Sequence, residues 1–148
     1  MEEFLKHELT KKMLKAKNIR NMTALHLACQ EGHHEVVEKL EPHLKAEDVM
    51  QEDREKNTAL HLACEGGKKE TVQLILNKGE GIEGLINVRN VRDEAPIHFA
   101  ARYGYEDIAD LLLEKGVAID TRDIHGCTPL HHAARNDQEK MIHFLCKQ

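Results

Sequence analysis

Thr23-Ala24-Leu25-His26-Leu27-Ala28-Cys29 is the stretch that decides the fold, because the chain writes it again. It returns as Thr58-Ala59-Leu60-His61-Leu62-Ala63-Cys64, as Ala95-Pro96-Ile97-His98-Phe99-Ala100-Ala101, and as Thr128-Pro129-Leu130-His131-His132-Ala133-Ala134. Successive starts lie 35, 37 and 33 residues apart. Nine residues after each start comes a breaker: Gly32, Gly67, Gly104, and Asp137 in the last copy. An aliphatic helical pattern follows each breaker, for example Val72, Ile75 and Leu76, or Ile108, Leu111 and Leu112. Leu14, Val49, Ile86 and Ile119 stand nine residues before the four starts. Self-similarity at a period of 20 to 50 residues marks a repeat architecture, in which each unit buries its apolar stripe only by stacking on its neighbours.

The physics of each unit agrees. Thr23, Thr58 and Thr128 are good N-caps for a first helix. Pro96 and Pro129 fall at the first helical position, where a missing N–H does no harm. Ala95 stands where the third cap belongs, at a cost of about 1 kcal/mol. The glycines between helices supply a left-handed turn, and Asn136-Asp137 substitutes for one in the last copy. Pro42 ends the second helix of the first unit early. The extra residues of the longer units, 41–47 and 79–84, are expected to be surface loops.

A period near 33 with Thr-Pro-Leu-His-x-Ala resembles the ankyrin repeat, two antiparallel helices and a β-turn finger. The resemblance covers residues from about 14 to 146. It implies an all-α solenoid of stacked helix-turn-helix units. The expected boundaries are a partial repeat or capping helix at 1–17 and repeats at 18–52, 53–89, 90–122 and 123–148. Phe4 to Leu9 reads as one helix, and Met141 and Phe144 lie in a unit with no repeat after it. Both ends therefore look open, as in a segment of a longer array.

Composition narrows the function. Of 148 residues, 41% are hydrophobic and 32% charged, which describes a globular chain. The longest stretch without Asp, Glu, Lys or Arg is eleven residues, Ile124 to Ala134, too short to span a bilayer. Net charge −5 and only five aromatics speak against a nucleic-acid reader. The four cysteines include no CxxC, and no apolar leader follows Met1-Glu2-Glu3. Reduced thiols in the cytosol or nucleus are expected.

Eleven histidines in so short a chain need a reason. His26, His61, His98 and His131 share one repeat position. The resemblance implies that each bonds to the start of its own helix and to the neighbouring finger, so they are structural. The other histidines are expected mostly at the surface. A metal site from His132, His143 and Cys146 has weak spacing, and no metal or other cofactor is expected. Catalytic signatures are absent: Gly79-x-Gly81-x-x-Gly84 follows a helix rather than a strand and lacks the context of a dinucleotide loop. Glu52, Asp53 and Glu55 read as a solvated finger. Cys127, just before the Thr128 cap, is expected to be the most exposed thiol and open to modification. The resemblance also marks Asn87, after Leu85-Ile86, as a position for hydroxylation.

Function by surface follows from the resemblance. A monomer is expected to bind a partner protein or peptide through finger tips and the ends of first helices. Carried over by position, the candidate contacts are Arg20, Met22, Arg54, Glu55, Val91, Arg92, Arg102, Tyr103, Ile124, His125 and Arg135. Arg92, Arg102, Tyr103 and Arg135 are the expected anchors, since Tyr and Arg dominate interface energetics. Phe99 is expected to support Tyr103. The alternative is a cytoplasmic segment of a larger membrane protein, such as a TRP-type cation channel, with a mechanical or regulatory role.

Overall fold

The computed structural model describes residues 1–81 and 84–148; Ile82 and Glu83, which belong to the 79–84 insertion, lie outside the described residues. Among the described residues there are ten α-helices and no strand. Helix α1 (Glu2–Lys15) comes first. Four helix pairs follow: α2 (Ala24–Gln30) with α3 (His34–Leu40), α5 (Ala59–Gly66) with α6 (Lys69–Lys78), α7 (Pro96–Tyr103) with α8 (Glu106–Glu114), and α9 (Pro129–Arg135) with α10 (Glu139–Cys146). The first helices α2, α5, α7 and α9 stack in series, and each packs on its own second helix.

Each pair is ended and started by the expected chemistry. The breakers Gly32, Gly67 and Gly104 have φ of 70°, 79° and 77°, and Asp137 has 56°. Left-handed backbone favours glycine, and Asp tolerates it. Gly67 is constrained twice, because a Cβ there would fall 2.4 Å from the ring of Tyr105 in the next pair. Stacking thus brings neighbouring units closer than any side chain at that point allows.

One core runs the length of the stack. Leu60, Leu62, Ile75, Ile97, Ile108, Leu112 and Met141 are each 2% exposed or less. Burying such a side chain contributes roughly 1.5–3 kcal/mol, and here the burial is supplied mainly by the adjacent units. Cys29 and Cys64 belong to this core as free thiols. Burial pushes Cys29 up to about 12 and Cys64 higher still.

Two expectations change. The 41–47 insertion is not a plain loop. Pro42 sits in a single 3-10 turn, Glu41–His43, and a short helix α4 (Ala46–Val49) follows. Asp48 accepts the Lys45 N–H at 2.7 Å to start α4, and Leu44 and Val49 are drawn into the core. Met22 is the second change. It carries the position of Asn57 and Glu94, is buried as they are, at 2% exposed, and packs in the core, so it offers nothing to a partner.

Candidate functional site

The finger, the turn that joins one unit to the next, positions most of the candidate residues. Asn18, Asp53, Asn90 and Asp123 recur at the repeat spacing, five residues before each first-helix cap. The Oδ1 of each accepts two backbone N–H groups, two and four residues on, at 2.8–3.0 Å. Asn21, Lys56, Asp93 and Gly126 sit between them with φ of 57–75°. An Asx side chain that holds its own turn fixes the finger without a partner strand. Asp53 is therefore a buried structural group, not part of a solvated run. Neighbouring fingers are bridged by backbone hydrogen bonds of 2.9–3.0 Å: Arg54 N–H to Arg20 O, Val91 N–H to Glu55 O, and Ile124 N–H to Arg92 O.

The repeated histidines tie finger to helix. Nδ1 of His26, His61, His98 and His131 accepts the backbone N–H of Thr23, Thr58, Ala95 and Thr128 at 2.9–3.1 Å. Nε2 then carries the proton. It donates to Gln51 O from His26 and to Glu94 O from His61, both at 2.9 Å. From His98 it reaches Thr121 O and Cys127 O at 3.1 Å. This is a capping box with histidine in the place usual for Glu or Gln. Ala95 loses the hydroxyl half of it and keeps the backbone half. Burial lowers the pKa of His26, His61 and His98, to about 4 at His61. His131 is exposed and makes only the bonds within its own unit.

Between the third and fourth units lies a buried ionic network. Glu94 and Asp123 are 2% and 8% exposed, and His132 is 3% exposed. Arg102 donates to Glu94 Oε1 and, at 3.2 Å, to His132 Nδ1. His132 Nε2 donates to Asp123 Oδ2 at 2.8 Å. Arg92 Nε and Asn90 Nδ2 donate to Glu94 Oε2 at 3.2 and 2.9 Å. Burial resists ionisation of Asp123, but the N–H groups of Cys127 and His125 and the His132 ring outweigh it and hold the carboxyl at about 2. The same contest lowers Glu94, through Asn90, Arg102 and Arg92. His132 is lowered by burial first and by Arg102 second. Ligand atoms of Glu94, Asp123 and His132 lie within 4.8 Å of one another, as a metal site would need. The donors are already taken, and two guanidinium groups hold the charge a cation would hold. His132, His143 and Cys146 do not form such a group among the described residues, and His132 faces inward rather than solvent.

The surface candidates separate accordingly. Arg20, Glu55, Arg92, Arg102 and Tyr103 meet around one concave depression of about 160 Å³, with Gln30 and Glu65. Arg102 is the least available of them. Its side chain is 19% exposed, pairs with Glu94, and lies 5.0 Å over the Phe99 ring. It is a strut, not a free anchor. Tyr103 is 39% exposed and stacks on Tyr105, centroids 6.4 Å apart. Phe99 instead meets His61 edge-on at 5.4 Å, so Tyr105 is the support that Tyr103 has. The Glu65 carboxylate accepts from Tyr103 Oη and from Gln30 Nε2, each at 3.4 Å, which links the ends of three first helices. Arg92 bridges Glu55 at 3.5 Å and Glu94.

Arg54, Val91, Ile124 and His125 are exposed on the fingers, and Arg135 at the end of α9. Arg135 reaches the Cys127 sulfur at 3.9 Å, and Cys127 is half-buried. Cys146, not Cys127, is the exposed thiol. Asn87 is exposed at the end of a 3-10 turn, Leu85–Asn87. The Asx turns were missed by pattern reasoning, although their residues recur at the period of the motif itself.

Comparison with known proteins gives one consistent answer. A family model described as ankyrin repeats, three copies, matches residues 2–85 and 80–148. Human transient receptor potential cation channel subfamily A member 1 is 37% identical over 73 residues, 46% of this chain and 6% of the channel. Chicken NF-kappa-B inhibitor alpha is 30% identical over 71 residues, 48% of this chain and 22% of the inhibitor. A putative ankyrin repeat protein of Rickettsia bellii is 40% identical over 60 residues, 40% of this chain and 23% of that protein. The matched stretches cover less than a quarter of each of these relatives.

Proposed function

The chain belongs to the ankyrin-repeat family, and from that premise we propose that it is a non-catalytic module that binds a partner protein through its concave face and finger tips. Ankyrin repeats generally mediate contacts between proteins, and a solenoid offers its concave side as one extended surface. The observation that carries the reading is the convergence of Arg20, Glu55, Arg92 and Tyr103 on one depression lined by groups from three successive units. Tyr103 is the central anchor of this surface, with Gln30 and Glu65 beside it and Arg54, Val91, Ile124, His125 and Arg135 extending it. The partner is a protein rather than nucleic acid, and the module acts as a monomer without cofactor in the cytoplasm or nucleus.

The test uses Tyr103→Ala combined with Gln30→Ala, both at positions whose loss leaves the core intact. Affinity capture from the source cell is quantified for the wild type and the double variant. A partner recovered by the wild type and reduced at least tenfold by the variant supports the reading. Equal recovery by a variant with unchanged circular dichroism contradicts it.

A second reading rests on the match to the human cation channel. On that reading the stack is the cytoplasmic part of a channel subunit and its role is regulatory. No helix among the described residues is long and apolar enough to cross a membrane. The full-length gene product decides: membrane-spanning helices elsewhere in it favour the channel.

A further inference from the structure

The seam between α7 and α9 is built differently from the two seams before it. Two imidazoles meet in it, His98 and His132, with ring centroids 5.0 Å apart. Both are buried, at 0% and 3% exposed. His98 reaches across the seam, where its Nε2 donates to Thr121 O and Cys127 O at 3.1 Å. His132 is reached from the other side: Arg102 of α7 donates to its Nδ1 at 3.2 Å, while its Nε2 donates to Asp123 at 2.8 Å. Each earlier seam is crossed by one such ring, His26 to Gln51 O and His61 to Glu94 O. Leu27 and Leu62 stand there at the position of His132.

These bonds need both rings neutral. Nδ1 of His98 accepts the Ala95 N–H at 2.9 Å, and Nδ1 of His132 accepts from the Arg102 guanidinium. A second proton can go only to Nδ1, and an imidazolium has no acceptor left. Donor then faces donor, and each ring loses a bond. At His132 the new cation also stands beside the Arg102 guanidinium. Burial is the main reason both rings resist that proton while the seam is shut. The His132 ring adds to the resistance at His98, and Arg102 adds to it at His132 against the pull of Asp123 and Glu94. Arg92 is held by Glu55 and Glu94. The flanking α5 brings His61, Cys64 and Glu65, with His61 committed to Glu94 O. On α8, Glu106, Asp107, Asp110 and Glu114 are not buried. On α10, Glu139, Lys140, His143 and Cys146 are exposed.

We propose that acid parts the stack at this seam, releasing α9 and α10 together from α7 while the first three units stay packed. In a solenoid each unit is held only by its neighbours, so one seam can open while the rest holds. A ring freed into water gains its proton near pH 6.5, so each freed ring raises the open fraction by up to about tenfold between pH 7.5 and pH 5.5. Two rings raise it by up to about a hundredfold at this seam, against about tenfold at either earlier one. Opening carries His125 and Arg135 away from Tyr103, so the concave face is continuous only while the seam is shut. The latch exists whether or not a partner occupies that face.

Hydrogen exchange of the full chain, read by mass spectrometry at pH 7.5 and pH 5.5 and corrected for the intrinsic pH dependence of exchange, tests this. Exchange in α9 and α10 should rise at least tenfold in acid. At pH 5.5, α5 and α7 should remain at least tenfold better protected than α9. His132→Leu, the residue type of the earlier seams, should cut the acid response of α9 and α10 at least threefold. His132→Gln, which keeps a hydrogen-bonding side chain without titrating, should do the same and serves if the leucine variant does not fold. His131→Gln, at the exposed neighbouring position, should leave the response within twofold. A response below tenfold, a margin below tenfold between α7 and α9 at pH 5.5, a full response in the His132 variants, or an equal loss in His131→Gln overturns the proposal.

Discussion

A single imidazole does three jobs in this fold. His61 accepts the Thr58 N–H, starts α5, and donates to Glu94 O of the next finger. Each job needs the neutral ring with its proton on Nε2. Removing the ring leaves a buried donor and a buried acceptor without partners, at about 1–3 kcal/mol each. His61→Ala should therefore cost about 3 kcal/mol or more in urea unfolding. His131→Ala, at the same repeat position but exposed, should cost less than about 1 kcal/mol. Equal losses at the two positions would contradict the role given to the second bond. The motif made the shared histidine visible in the sequence. It did not show that burial, and with it the energetic weight, would differ so much between His61 and His131. That difference arises because His61 is covered by a following finger and His131 is not.

At the level of elements, the junction between α7 and α9 differs from the others. His132 stands where Leu27, Leu62 and Phe99 stand in the other units, and Arg102 where Gln30 and Glu65 stand. An aliphatic contact is replaced by a buried network of Glu94, Arg102, His132 and Asp123. Removing one member of a buried pair costs about 3–5 kcal/mol, because the other charge stays behind. Arg102→Met should lower the urea midpoint by a corresponding amount, while Arg135→Met, on the same helix position one unit on and exposed, should leave it nearly unchanged. Acid acts on this junction and on the first helices before it. The native pKa values of His26, His61, His98 and His132 lie below the ordinary histidine value of 6.5. Below pH 6.5 the unfolded chain takes up protons that the native chain refuses, so stability falls as pH falls. The loss runs from about pH 6.5 toward pH 4, the value at His61, which alone contributes of order 3 kcal/mol. Asp123, held at about 2, adds a loss below its ordinary 3.8. Urea midpoints at pH 7.5 and pH 5 check this; an unchanged or higher midpoint at pH 5 would contradict it. The caps, breakers and helix pairs were legible in the sequence, since each depends on residues within one period. The network was not, because Glu94 and His132 are brought together only by stacking.

The whole molecule is a stack with two long sides, and the proposed function is read from the side that carries fingers and first-helix ends. Sequence reasoning reached that side by position alone. It placed Tyr103 and Arg92 where the structure exposes them, and it misplaced Met22 in solvent and Arg102 as free. Both errors have one source: a repeat position gives a residue's place in its unit, and only the neighbouring unit decides whether it is covered. The most direct test of a binding face is to ask which side of the stack touches another protein. A photo-crosslinking phenylalanine analogue is placed at Tyr103 on the concave side and, in a second chain, at Glu114 on the second-helix side, which is also exposed. Both are irradiated in the source cell and the adducts are identified by mass spectrometry. The account predicts a discrete adduct from position 103, absent from position 114. Adducts from 114 alone, or the same set from both, would contradict it.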